Sequence, residues 1–456
     1  MLSSSTFGRR AALRAANCRQ CLSQPANRRG LAAPASGSFQ YESSEAAGVK
    51  IASRDFAGPT TTLALVAKAG TRFQTYPGVT EGLEKYAFRT TERRSALRIV
   101  REAELLGAEL SSYHTRENLI LGAKFLRQDL PYFLELFAEI VGSTKYEPHV
   151  YDEEIKPLIQ MAHKRHIDNT TELAINSAHS LAFHRGLGVP LRPSSATPYT
   201  KYVDANSIAE FASAAYSKSN FALVANGTNH GNMAKWAGQF FSSAKNSSAK
   251  ALESPPSKYQ GGEERIAHNS GNTMVLAFPG SSSFTGGSYK PEIQVLASLL
   301  GGQSSVKWSS GFSLLANAAA PFPSVKVATK SAIYSDAGLL YVTLEGSAKD
   351  VAGAAQETVK TIKAIAGGDI KKDDISKAIA QAKFKELEYG QQLWAGLELT
   401  GSGLVQSGKV YQIDETAKKL EAVTEEQVKK VSSVHISPMS KNDANRVMNV
   451  GCSDPP

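Results

Sequence analysis

Residues 62–69 form a run of small and apolar side chains with the pattern of a strand. After a loop holding Pro77 and Gly78 the spacing becomes helical: Leu83, Tyr86 and Ala87 share one face, which predicts a helix over 81–90. Downstream, 110–113 leads into an alternating strand at 118–125, and Asp129 opens a helix through 141. A long acid-started helix follows from Asp152 to about residue 182, with Pro157 in its early part. A short amphipathic helix at 204–216 and a strand at 221–225 close this first series.

The same order returns after a separation of roughly 220 residues, far longer than a solenoid period. The openings 48–53 and 62–69 correspond to 265–268 and 274–279, and the helix at 81–90 to one at 290–300. The pair 110–113 and 118–125 corresponds to 332–334 and 339–345, and the helix from Asp129 to one over 349–366. The helix from Asp152 corresponds to one from Asp373 to 387, and the closing pair to 424–434 and 446–450. Asp129, Asp152 and Asp373 suit helix starts, where a carboxylate accepts from orphan N–H groups and offsets the positive helix end. Short strands separated by paired helices predict an α+β fold in two homologous domains, each a mostly antiparallel sheet packed with helices. A crowding of Ser, Pro, Lys and Gly around Pro255-Pro256 and Gly261-Gly262 marks a linker at 246–264, between domains at 32–245 and 265–456.

Charge changes the picture only at the N-terminus. The chain has 456 residues and a formal charge of +9, but residues 1–31 supply six Arg, no Lys and no acid, which leaves +3 for the rest. That remainder is too weak a bias to argue for nucleic acid. The Arg-, Ser- and Ala-rich start reads as a mitochondrial transit peptide over 1–31, with Arg29-Gly30-Leu31 before Ala32 as a processing site; a disordered basic arm is the alternative. Cys18 and Cys21 form a Cys-x-x-Cys inside this segment, without a second ligand pair, which leaves Cys452 alone in the mature chain. No apolar run approaches the ~18 residues of a membrane span, so membrane contact is expected only through partner subunits.

The stretch 78–91, Gly-Val-Thr-Glu-Gly-Leu-Glu-Lys-Tyr-Ala-Phe-Arg-Thr-Thr, following a strand and a loop, resembles the inverted zinc motif His-x-x-Glu-His of the pitrilysin-type metallopeptidases. In that motif two His one helical turn apart bind Zn²⁺ and the Glu polarises the attacking water. Here Glu81 and Lys85 stand at the ligand positions and only Glu84 matches. An ammonium does not ligate zinc unless it loses its proton, and Glu81 and Lys85 are expected to form an i,i+4 pair instead, worth ~0.2–0.5 kcal/mol. The family's third ligand, a Glu, comes from a later helix; the corresponding Ile159-Gln160-Met161-Ala162-His163-Lys164-Arg165 has no carboxylate. The resemblance covers nearly everything after the transit segment. It implies two domains facing across a cleft and a degenerate site at Glu81, Glu84 and Lys85 with no catalytic residue, metal or cofactor.

Three other groups offer site-like patterns. His114-Thr-Arg-Glu117 has the start of the motif, but Asn118 replaces its last His and a strand follows. His163 and His166 lie three apart on a helix with no acid or Cys to complete a ligand set. Gly301-Gly302 and Gly311 lack the order of a phosphate-binding loop. The noncatalytic subunit of the related processing peptidase has a glycine-rich loop at this place, which Ser304, Ser305 and Trp308 dilute here. Together with 299–308 and 332–339, the degenerate motif resembles the core-protein branch of the family, structural subunits of respiratory complex III (ubiquinol-cytochrome c reductase). That resemblance implies a matrix-facing, peripheral place on the mitochondrial inner membrane, with core protein 1, cytochrome b, cytochrome c1 and the Rieske protein as partners. A noncatalytic processing-peptidase subunit is the competing expectation.

Overall fold

The computed structural model describes residues 40–55, 58–192, 203–242, 252–285, 288–303, 313–436 and 448–450. Residues 1–31, where a transit peptide is expected, all three Cys, and Ser304, Ser305, Trp308 and Gly311 lie outside them.

In the first half, β1 (Glu42–Ala46), β2 (Val49–Arg54), β3 (Thr60–Ala67), β4 (Glu109–His114), β5 (Leu119–Leu126) and β6 (Phe221–Asn226) make a six-stranded sheet in the order β1-β2-β6-β3-β5-β4. Only the β2–β6 pair is parallel. In the second half, β7 (Asn272–Pro279), β8 (Lys326–Ile333), β9 (Gly338–Gly346) and β10 (Met448–Val450) run antiparallel in the order β10-β7-β9-β8. The first half carries α1 (Val79–Tyr86), α2 (Ala96–Leu105), α3 (Leu130–Ser143), α4 (Lys156–Asp168), α5 (Thr170–Phe183), α6 (Ala205–Ala215) and α7 (His230–Phe240). The second carries α8 (Pro291–Leu300), α9 (Leu314–Ala319), α10 (Ala348–Ala366), α11 (Lys372–Gly390), α12 (Leu397–Gln406), α13 (Ile413–Glu421) and α14 (Glu425–Ile436).

Each sheet has two buried faces, and the two are covered differently. Leu63, Leu65 and Ala67 of β3 point into a core closed by α1, α3, α6 and α7 of their own half, where Phe133 and Phe137 are fully buried. Each such side chain contributes roughly 1.5–3 kcal/mol by leaving water. Ala64 and Val66, on the opposite face of β3, pack against Leu397 and Leu404 of α12, which belongs to the second half. The exchange is mutual: Ala174, Ala178 and Ala182 of α5 pack on Val275, Leu339 and Tyr341 of the second sheet. Both halves therefore complete their hydrophobic layers with a helix from the other. At Gly401 of α12 a Cβ would lie 2.5 Å from the Val66 side chain, so the helix reaches the sheet only because that position is bare.

Several expectations are corrected. The helix from 81 to 90 stops at Tyr86, because Ala87 is extended (φ −56°, ψ 134°) and Phe88 takes a positive φ of 59°. The helix from Asp152 to 182 is broken: a π-helical turn, Tyr151–Ile155, precedes α4, and Asn169 separates α4 from α5 and caps the latter through Glu172 N. Of the three Asp starters, Asp129 precedes α3 without a side-chain cap bond, Asp152 lies inside the π turn, and Asp373 sits in the first turn of α11. Side-chain caps come instead from Ser95, Asn169, Asp204, Asn229, Ser313 and Ser347. Residues 265–268 are irregular rather than a counterpart of β2, and β1, α2, α7, α9, α12 and α13 were not anticipated.

Candidate functional site

Helix α1 starts at Gly78, whose φ of 96° lies where other residues are strained, and whose N–H donates to Gln74 Oε1 at 3.2 Å. Val79, Leu83 and Tyr86 enter the core, which leaves the intervening Glu81 and Glu84 buried too. Tyr86 Oη donates to Glu147 O at 3.0 Å and ties the last turn to the segment before α4.

The expected Glu81–Lys85 pair does not form. Lys85 Nζ donates to Glu84 Oε1 at 2.5 Å, because Lys85 runs outward along the helix surface and keeps its ammonium partly in water, whereas Glu81 points inward. Glu81 is 2% exposed and neither carboxylate oxygen has a hydrogen-bond partner. Among the described residues its ion-pair contact is Arg192 Nη1 at 3.9 Å. Burial raises its pKa, offset only in part by His114 and Arg192.

Glu84 is held differently. His114, at the end of β4 and 30 residues away, brings Nδ1 to Glu84 Oε2, while its Nε2 meets Leu191 O at 2.9 Å. Burial would raise the Glu84 pKa, but the bonds from His114 and Lys85 outweigh it and hold the carboxyl below its ordinary range. The group that polarises water in an active motif is thus committed to two partners, the Lys85 ammonium and the His114 imidazole. In the sequence His114 belongs to a separate pattern, His114-Thr-Arg-Glu117, and no local signal places it beside a residue on another element.

The residues present do not fit a zinc ion. One ligand position holds an ammonium bound to the motif's own Glu, and α4, which packs against α1, has no acid between Lys156 and Arg165. Among the described residues no group of three or more His, Cys, Asp or Glu is placed to hold a metal. On α4, His166 has both ring nitrogens engaged, Nδ1 with Glu172 Oε2 at 3.0 Å and Nε2 with Asn176 Nδ2 at 2.9 Å, so it does not pair with His163 toward a metal.

Next to the motif a cavity of about 460 Å³ opens between the halves, lined by His114, Arg116, Asn176, Arg192, Tyr334 and Glu398 among others. Its far side is closed by polar contacts. Burial pushes the His179 pKa down to about 3, so this imidazole is neutral; Nδ1–H donates to Ile175 O at 2.7 Å and Nε2 accepts from Tyr334 Oη at 2.9 Å. Arg72 makes the main clasp. It donates to Glu117 Oε1 at 2.8 Å and to both oxygens of Asp336 at 2.7 Å, and reaches the linker at Pro255 O, 3.2 Å away. Ser335 N and Oγ donate to Glu117 at 2.9 and 2.5 Å, and Ser257 N donates to Asp336 at 2.8 Å. Gly70 makes this approach possible: its Cβ would stand 2.4 Å from the backbone of Arg116 and Glu117. Glu117 thus serves the clasp.

The family model for insulinase-type peptidases of family M16 matches residues 50–192, and that for the M16 inactive domain matches residues 202–382. Cytochrome b-c1 complex subunit 2 of Neurospora crassa is 47% identical over 90% of this chain and 89% of its own length. Its counterpart in Schizosaccharomyces pombe is 36% identical over 81% of this chain and 84% of its own. The alpha subunit of the mitochondrial processing peptidase of Solanum tuberosum is 25% identical over 86% of this chain and 78% of its own. With both halves of the fold matched and such identity along nearly the whole length, the chain belongs to peptidase family M16 and, within it, to the cytochrome b-c1 complex subunit 2 proteins.

Proposed function

We propose that the chain is a non-catalytic core subunit of mitochondrial respiratory complex III, needed for its assembly and stability in quinol-to-cytochrome c electron transfer and without a redox centre of its own. The observation that carries this reading is the 47% identity over 90% of the chain to a cytochrome b-c1 complex subunit 2. The locked Glu84 supports the non-catalytic part, since its carboxylate is taken by Lys85 and His114. Glu81, Glu84 and Lys85 are then remnants of a motif with no catalytic or metal-binding role. Among the described residues no helix is long and apolar enough to cross a membrane, so attachment runs through other subunits: core protein 1, cytochrome b, cytochrome c1 and the Rieske protein, on the matrix side. The proposed division is a transit peptide at 1–31, domains at 32–245 and 265–456, and a linker at 246–264.

The second reading, a non-catalytic subunit of a processing peptidase, has the 25% identity to the Solanum tuberosum alpha subunit in its favour. Extraction of mitochondria with mild detergent, followed by fractionation, separates the two. The chain is expected to travel with haem absorbance, with its N-terminus near Ala32; travel with soluble presequence-cleaving activity overturns the complex III reading, and an N-terminus at Met1 overturns the transit peptide.

A further inference from the structure

Arg116, on the loop between β4 and β5, is 5% exposed and carries a charge that no carboxylate among the described residues balances. Its Nη1 donates to Leu187 O at 2.9 Å and Val189 O at 2.6 Å, and its Nη2 to Asn176 Oδ1 at 2.6 Å. The Tyr334 phenol is a further neighbour. These partners are neutral: their dipoles orient the guanidinium but supply no counter-charge, and buried ions are as a rule paired with an opposite charge.

The acids around the cavity are committed elsewhere. Glu117 is taken by Arg72 and Ser335, and Glu172 by His166. Glu398 is bonded by Thr115 and Asn118, and burial favours its protonated form. No carboxylate among the described residues pairs with Arg116, and outside them the sequence has only two acidic side chains, Asp443 and Asp454. The guanidinium borders the cavity of about 460 Å³, within the range of roughly 300–1,000 Å³ of small-molecule sites. Arg192 lines the same cavity, and its contact at 3.9 Å is to Glu81, which burial also favours protonated.

We propose that this cavity binds a small organic oxyanion, bearing carboxylate or phosphate, with Arg116 as its buried counter-charge and Arg192 as a second cation at the wall. Thr115, Ser283 and Ser402 supply hydroxyls along the lining, and Ile175, Phe284 and Leu399 an apolar wall for the body of the ligand.

The test is calorimetric titration of the assembled mitochondrial complex with citrate and, separately, with inorganic phosphate, as wild type, Arg116→Gln and Ser402→Phe. Ser402, on α12, takes no part in the Arg116 hydrogen bonds, so a phenyl ring there fills the cavity and leaves the guanidinium in place. The wild type is expected to bind at least one anion. Arg116→Gln should bind it on the order of thirtyfold more weakly, the loss that follows removal of one partner of a buried charge pair, and Ser402→Phe should lose measurable affinity because the ring occupies the ligand's space. Binding of citrate alone assigns a carboxylate ligand, and of phosphate alone a phosphate. A wild-type complex that binds neither overturns the proposal, as does unchanged affinity in Ser402→Phe, which also decides the matter if Arg116→Gln does not assemble. Mass spectrometry first establishes that the preparation contains this chain, so absence from the complex and failure to bind are separate results.

Discussion

Arg72→Met removes the clasp between the halves while keeping most of the aliphatic volume, so lost charge and not lost packing sets its effect. Glu117, with a side chain 6% exposed, would keep only the Ser335 bonds for a buried carboxylate. Asp336, 31% exposed, would keep the Ser257 N–H and water. Breaking a buried pair from one side costs ~3–5 kcal/mol, and the partly solvated Asp336 contact adds about 1 kcal/mol or less. The Glu117 contact therefore dominates, and a local opening that costs ~3–5 kcal/mol less raises amide exchange by about a hundredfold to several thousandfold. Hydrogen exchange read by mass spectrometry in the assembled complex should show this at the amides of Ser257 and Ser335. Burial alone would raise the Asp336 pKa, but Arg72 and the Ser257 N–H hold it below the ordinary value. A depressed folded-state pKa contributes stability above the unfolded value of ~3.9 and loses it as pH falls through the folded one, so this part of the wild-type advantage shrinks in acid. Exchange at both amides within about twofold of wild type near neutral pH would refute the clasp.

Three further outcomes are expected. Glu81→Met should stabilise the chain by ~1–3 kcal/mol near neutral pH, since it removes two unpartnered buried oxygens. Its pKa is raised, so the ionised form penalises the fold increasingly as pH rises above the unfolded value of ~4.3 and the gain disappears in acid; a lower melting temperature near neutral pH would count against this. Glu81→His with Lys85→His should yield no presequence cleavage and no stoichiometric zinc by elemental analysis, because residues 159–165 of α4 still supply no third carboxylate; cleavage by this variant would mean that another residue serves as ligand. Expressed alone from Ala32, the chain should bind a dye for apolar surface and aggregate, given Leu97, Leu105 and Phe384 at 59%, 86% and 63% exposure; a stable, dye-free monomer would oppose an obligate partner.

Much of the α+β plan was legible because strand and helix periods are local properties: the apolar run at 62–69 became β3 and the alternation at 118–125 became β5. The degenerate motif was legible for the same reason, since residue types at fixed spacing identify it without any folding. Helix α12, Leu-Glu-Leu-Thr-Gly-Ser-Gly-Leu-Val-Gln, is not legible locally because two Gly and a Ser read as a loop, while the bare Gly401 is what lets it lie on Val66 of the opposite half. The Glu81–Lys85 pair failed because spacing places two residues on one face without saying which end of that face is buried. The contacts of His114 with Glu84 and of Arg72 with Asp336 join positions 30 and 264 residues apart. The sequence by itself determined the type of most strands and helices, and it sets Glu81 and Lys85 where the resembled motif has two His. Only the tertiary structure decided which charges meet and which are stranded, because the strength and even the existence of an ion pair depend on distance and burial, and neither is encoded in local spacing.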